Sequence, residues 1–147
     1  MGDTRRIPVV TDADWDYADA FEVVISVEDQ RTAEQWARAA LDVGLARIRP
    51  LVLLIHRRVL RFRLGPTDSA THILGWKLEE SEQDLIRLTA DGPLMHGVLL
   101  GRRTAPDRTE LRTFLSYKKP RAAIVWRVIG PIHRLVARYL LRQTARS

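Results

Sequence analysis

A chain of 147 residues with 46% hydrophobic and 29% charged side chains has the size and make-up of one globular domain, which excludes wholesale disorder. The lack of cysteine excludes disulfides, thiolate catalysis and Cys-based zinc or iron–sulfur sites. Net charge is +6; of 24 basic residues only Lys77, Lys118 and Lys119 are lysines, and no apolar run nears the roughly 20 residues that span a bilayer. No apolar signal segment follows Met1-Gly2-Asp3-Thr4-Arg5-Arg6, so a soluble cytoplasmic protein is expected.

Residues 1–18 read as an irregular, acidic lead-in to a single domain over 19–147. Asp12, Asp14, Asp16 and Asp19 alternate, but the central glycine and terminal glutamate of a calcium loop are missing, so no metal is expected there. Residues 19–27 then alternate as a strand, with Phe21, Val23, Ile25 and Val27 on one face and Glu22 and Ser26 on the other.

Thr32 and Gln35 form a capping box that opens a helix. Trp36, Ala40, Leu41, Gly44, Leu45 and Ile48 continue it as one apolar stripe, and Glu34 faces Arg38 at i,i+4. Pro50 ends this helix or starts the next. Leu51, Val52, Ile55, Val59 and Phe62 form a second stripe, backed by Arg57, Arg58 and Arg61. Leu60–Leu64 also alternates, which leaves the end of this element ambiguous until Gly65-Pro66 breaks it.

Four strand-like segments follow. The first, 71–80, places Leu74, Trp76 and Leu78 on one side. The second, 84–90, does the same with Ile86 and Leu88 before the turn Asp91-Gly92-Pro93. In the third, 94–103, Leu94, His96, Val98 and Leu100 share a face; in the fourth, 109–118, Leu111, Thr113, Leu115 and Tyr117 do. Short connections make these an antiparallel meander. The final segment, 121–146, is a long amphipathic helix with Ile124, Val125, Val128, Ile132, Leu135, Val136, Tyr139 and Leu140 on its apolar side. Arg134, Arg138, Arg142 and Arg146 are spaced four apart on the other side, and Gly130-Pro131 should kink it.

This order, β-α-α-β-β-β-β-α, predicts an α+β fold in which a five-stranded antiparallel curved sheet wraps the long C-terminal helix. Such a sheet seldom closes fully on its helix, so a pocket remains between them. The order resembles the START-like, or SRPBCC, superfamily with its helix-grip fold. The residues that carry the resemblance are Leu74-Gly75-Trp76-Lys77 and the tail from Val125-Trp126 through Gly130-Pro131-Ile132-His133-Arg134. They are similar to an uncharacterised bacterial branch of that polyketide cyclase-like superfamily, over roughly residues 19–146. The resemblance implies an apolar cavity, of the kind that serves lipid carriers, hormone binders, cyclases and quinone-binding proteins. Five strands, where fuller members have six or seven, imply a small or filled one.

Seven residues are candidates to line it: Trp76, His96, Val98, Thr113, Tyr117, Trp126 and His133. If the face of Leu94, Val98 and Leu100 looks inward, His96 is an imidazole among aliphatic side chains, hence a polar anchor or a general acid/base. The more economical reading is a satisfied structural histidine, or an outward one on a flipped register. His133 reads chiefly as a structural partner for a carbonyl freed by Pro131. Trp76, Trp126 and Tyr139 are core or pocket aromatics, and the Thr113 and Tyr117 hydroxyls are suited to hold a ligand's polar end. His56, His72, His96 and His133 have no metal-ligand spacing; nucleophile-elbow and phosphate-loop motifs are absent, and no cofactor is expected.

Charge is segregated. Residues 1–29 hold eight acids, whereas 43–67 hold six arginines and 111–147 nine Lys or Arg, both without an acid. A solvated polar face explains this with least assumption. The expected function is therefore non-enzymatic binding of an apolar or amphipathic small molecule, with no nucleic-acid partner. The alternatives are a cyclase or dehydratase using His96 with Tyr117, and a peripheral partner of anionic lipid or nucleic acid through Arg127, Arg134, Arg138 and Arg142.

Overall fold

The computed structural model describes residues 3–9, 14–67 and 69–146. The elements are β1 (Thr4–Arg6), β2 (Tyr17–Val24), α1 (Ala33–Arg38), α2 (Arg49–Leu54), β3 (His72–Ile73), β4 (Trp76–Ser81), β5 (Leu85–Asp91), β6 (Met95–Ala105), β7 (Arg108–Tyr117) and α3 (Arg121–Arg146). Helices α1 and α2 each run on into a π-helical turn, Ala39–Val43 and Ile55–Val59. The strands form one antiparallel curved sheet in the order β1-β2-β7-β6-β5-β4-β3.

Seven strands replace the five expected, for two reasons. Thr4–Arg6, within the lead-in read as irregular, pairs with Phe21–Val23 as an edge strand, and β2 begins at Tyr17 rather than at residue 19. The segment 71–80 is broken by a two-residue turn at Leu74-Gly75, both at positive φ (53° and 80°), between the paired Ile73 and Trp76. Gly75 suits that region, whereas a leucine there is strained by roughly 1–2 kcal/mol. Its buried side chain and its N–H, which donates to Asp42 Oδ1 at 3.2 Å, offset the strain.

Cα partners on adjacent strands point the same way, so the register assigns the faces. Leu88, Leu99, Thr113 and Asp19 form one row across the core side; Ala90, Gly97, Leu115 and Tyr17 form the next. On β6 the inward residues are therefore Met95 and Leu99; His96, Val98 and Leu100 face out, which overturns the pocket-lining expectation for His96 and Val98 and is the flipped register of the more economical reading of His96. Val98 is still fully buried, because its cross-strand neighbour Phe114 is covered by Trp15, ring centroids 5.3 Å apart. β6 is apolar on both sides, so alternation alone could not choose between two registers that exchange every side chain. Val27, expected on the inner face of β2, lies exposed beyond the strand end.

The capping box of α1 is formed: Gln35 N–H donates to Thr32 Oγ1 at 3.1 Å and Thr32 N–H to Gln35 Oε1 at 2.8 Å. Thr32→Ala is expected to cost about 1 kcal/mol in urea unfolding. Glu34 and Arg38 meet at 3.2 Å, and Trp36, Ala40, Leu41 and Leu45 enter the core as the stripe predicts. Pro50 opens α2, whose predicted stripe holds in part: Val52 and Ile55 pack against the core and Phe62 is buried, but Leu51 and Val59 are not. No residue from Arg49 to Val59 is fully buried, and Leu51, Leu54 and Val59 are exposed. The alternation at 60–64 prevails instead: Leu60 and Phe62 are buried on either side of Arg61, which has φ 65°.

Gly92 lies against this segment. A Cβ there would stand 2.2 Å from the carbonyl oxygen of Arg61 and 3.2 Å from Phe62 Cα, both backbone atoms that no rotamer can move. Gly92→Ala is expected to cost about 2 kcal/mol in chemical unfolding, with the strand-turn contact sprung apart.

Helix α3 spans Arg121–Arg146 without interruption, Pro131 included. It meets the sheet on a different side from the one expected. Ala122, Trp126, Gly130, Ala137, Leu140, Leu141 and Thr144 are buried, whereas Ile124, Val128, Ile132, Leu135 and Tyr139 are exposed. The buried side mixes small residues with Trp126, Leu140 and Leu141, and this rotation brings His133 over β2. Periodicity registers hydrophobicity alone, and so it chose the greasier side.

Candidate functional site

Sheet, α2 and α3 enclose a cavity of about 90 Å³. Its floor is Leu99 of β6 and Leu111, Thr113 and Leu115 of β7; Leu74 and Trp76 close one side. Trp126, Ile129, His133 and Val136 of α3 face Val52, Ile55 and His56 of the second helix and its π-turn. His56, Thr113 and His133 are the only polar residues among the described ones in this wall, apart from the indole N–H groups.

His133 Nε2 stands 3.1 Å from Asp19 Oδ2, and the Asp19 side chain is fully buried. The carboxylate accepts, so Nε2 carries the proton and a neutral ring keeps Nδ1 as an acceptor. The Tyr17 hydroxyl donates to the same Asp19 oxygen, and Arg134 Nη1 donates to Tyr17 Oη at 3.3 Å. Burial first, and the hydrogen bond to Asp19 second, push the Tyr17 phenol up to about 12, so it remains a proton donor. The Trp126 ring lies edge-on to Tyr17 at 5.0 Å and 5.2 Å from the His133 ring.

Some of this cluster is unsatisfied. Asp19 Oδ1 and Thr113 Oγ1 are buried without a hydrogen-bond partner, and these two residues are cross-strand neighbours on the inner face. Trp126 Nε1 is also buried and unpaired. Buried polar atoms without partners are uncommon, and each costs about 1–3 kcal/mol. Across the cavity, His56 Nδ1 accepts from Trp76 Nε1 at 3.3 Å, so the neutral ring is protonated at Nε2. Burial chiefly, with a smaller electrostatic contribution from His133, lowers the His56 imidazole to about 4.

Of the seven residues predicted to line a pocket, Trp76, Thr113, Trp126 and His133 come together here. His133 engages Asp19 rather than a carbonyl freed by Pro131. His96, Val98 and Tyr117 do not line the cavity. His96 sits on the outer face with Nδ1 3.0 Å from Asp91 Oδ1, which also receives Lys118 Nζ at 2.7 Å. The Lys118 bond chiefly, with His96, holds the Asp91 carboxyl below its usual range. An acid/base role for His96 inside the pocket is ruled out by this position. Tyr117 is half-buried at the sheet end, where its N–H donates to Asp16 Oδ2 at 2.6 Å. Tyr139, expected as core or pocket, is exposed.

Of the aspartates that alternate, Asp12 lies outside the described residues, Asp16 caps Tyr117 and Asp19 turns inward. No group of three or more His, Asp or Glu among the described residues is placed to hold a metal ion. The arginine row of α3 mostly clasps the sheet: Arg134 reaches Tyr17, Arg138 lies over the Phe21 ring at 5.3 Å, and Arg142 Nε donates to Thr4 Oγ1 at 3.1 Å. Arg127 is exposed.

Tyr17, Asp19 and His56 were missed by the sequence reading. The signal was present for two of them: Tyr17 and Asp19 share the alternation of Phe21 and Val23, which puts two polar groups on an apolar face. Comparison with known protein families, curated proteins and solved structures finds no match to this chain.

Proposed function

We propose that this chain is a START-like, helix-grip protein that holds a slim amphipathic molecule between sheet and C-terminal helix. The observation that carries the reading is the unpartnered Thr113 hydroxyl, set beside the Asp19–His133 pair in an otherwise apolar cavity. Apolar walls supply affinity and a few convergent polar groups supply orientation, the usual division of labour in small-molecule sites. The polar end of the ligand is a neutral hydroxyl or carbonyl. It can exchange hydrogen bonds with Thr113 and His133 Nδ1, whereas a carboxylate would meet the Asp19 charge.

A volume of about 90 Å³ is below the roughly 300–1,000 Å³ of drug-sized sites. The ligand therefore has a narrow chain, and α2 is the wall that yields to admit it. With no fully buried residue from Arg49 to Val59, that wall has the fewest contacts to break.

Displacement of anilinonaphthalene sulfonate from the purified chain tests the reading. Dodecanol is expected to compete at least about tenfold better than dodecanoate, and Leu99→Trp, which fills the floor, is expected to abolish dye binding. Equal competition would remove the polar anchor; dye binding unchanged by Leu99→Trp would remove the cavity. Thr113→Val separates ligand from structure. Removing an unpartnered buried hydroxyl is expected to leave stability unchanged or raise it by up to about 1 kcal/mol while weakening dodecanol binding. Destabilisation without a binding change would make Thr113 structural.

A further inference from the structure

The apolar residues that α3 leaves uncovered are not scattered. Ile124, Val128, Leu135 and Tyr139 fall within an arc of about 60° at 100° per residue, and Ile132 lies beside them. Val128 and Leu135 are 66% and 68% exposed. Ile132 is at once exposed and part of the cavity wall, so this row reaches the cavity. On the opposite side, Leu51 and Leu54 are exposed next to the lining residues Val52 and Ile55. Two apolar ridges thus flank one mouth. Single exposed apolar side chains need no explanation, but a connected set around a cavity does.

The charge on the same elements has one sign. Residues 43–67 and 111–147 contain no acid, and Arg57, Arg58, Arg61, Arg121 and Arg127 are exposed there. We propose that this face docks on an anionic lipid bilayer, with the two ridges entering the headgroup boundary and the arginines meeting lipid phosphates. A second copy of the chain is disfavoured as the occupant because the arginine-rich face would meet its own charge. Nucleic acid would match the arginines but leave the apolar ridges in water. Apolar side chains on one helical face with basic residues around them are the pattern of interfacial binding. No helix among the described residues is long and apolar enough to cross a membrane, so the contact is peripheral.

The test is co-sedimentation of the full chain with phosphatidylcholine vesicles, with and without phosphatidylglycerol. Binding is expected to the mixed vesicles only, and to weaken as salt is raised. Val128→Asp with Leu135→Asp is expected to lower the bound fraction at least about tenfold, with the far-ultraviolet circular dichroism of the wild type. Val27→Asp, at an exposed apolar residue outside both ridges, is expected to change nothing. Any of four results overturns the proposal: no sedimentation with anionic vesicles at low salt, equal binding to neutral vesicles, no effect of the double variant, or a wild-type dimer that the double variant dissociates. Binding to duplex DNA in place of vesicles would also overturn it. Leu99→Trp, which closes the cavity, is expected to sediment normally, so docking and ligand retention fail independently.

Discussion

Asp19→Ala is expected to lower the unfolding free energy by about 3–5 kcal/mol. The reason is not the loss of one contact. Asp19 is the acceptor for both the His133 Nε2–H and the Tyr17 hydroxyl, and all three groups sit in the seam where α3 meets β2. Without it, two part-buried donors lose their acceptor. Asp19→Asn keeps the shape and one carbonyl oxygen, so it is expected to cost about 2 kcal/mol and to fold. Its carbonyl oxygen can still accept from both donors at the place of Oδ2, but without the charge, so the bonds that fix the His133 tautomer are weaker. Dodecanol binding is then expected to fall in a folded protein. Urea unfolding of both variants, with dye displacement on Asp19→Asn, checks this. An Asp19→Ala midpoint equal to wild type would mean that the cluster does not hold the helix.

Acidification is expected to remove up to about 3 kcal/mol of stability between pH 6.5 and about 4, through His56 alone. The sign follows from the direction of the shift. Burial lowers the folded-state value to about 4 from 6.5, so as the pH falls the unfolded chain takes up the proton first. The stabilisation is complete above 6.5 and is lost as the pH drops towards the folded value. His56→Phe is expected to flatten the profile over this window. It should also be about 1 kcal/mol less stable near neutrality, because Trp76 Nε1 then has no acceptor. Below that window the loss continues at Asp29. Burial works to raise the Asp29 carboxyl, but hydrogen bonds from Arg31 and Trp36 outweigh it and hold the group at about 2. Urea midpoints across the pH range, for wild type and His56→Phe, distinguish the two; a variant as acid-sensitive as the wild type would exonerate His56.

The two effects meet at the cavity. His56 and His133 stand on opposite walls, and a charge on one disfavours a charge on the other. A neutral pocket with a fixed donor and a fixed acceptor is what a neutral polar head requires. The small volume and the thinly anchored α2 then make access, rather than affinity, the step that selects ligands.

The fold and the site are legible in the amino-acid sequence where the information is local. The Thr32–Gln35 box, the Glu34–Arg38 pair, Pro50 at the start of α2, the inward face of β7 and the full length of α3 are all consequences of neighbours within a few residues. Thr113 and Trp76 were legible as site residues because each is a polar or aromatic group on a strand face that alternation turned to the core, whereas Trp126 and His133 came inward only through the seating of α3. Failure came where two local answers were nearly degenerate. β6 is apolar on both faces, so its register was settled by its pairing with β5 and β7 and by Trp15 covering Phe114. Leu74-Gly75 reads equally as strand and as turn, until Asp42 captures the Leu74 N–H.

The amino-acid sequence by itself determined the α+β order, the antiparallel meander and the long closing helix, because periodicity and turn chemistry act between near neighbours. Only the tertiary structure decided which side of that helix is buried, because the reach of His133, Arg134 and Arg138 to Asp19, Tyr17 and Phe21 of β2, not the greasier stripe, sets its seating. The same rotation set Asp19 beneath the helix and turned Ile124, Val128 and Leu135 out to solvent. Contacts between residues more than a hundred positions apart carry no signature in a local pattern, and they are what made both the pocket and the exposed ridge.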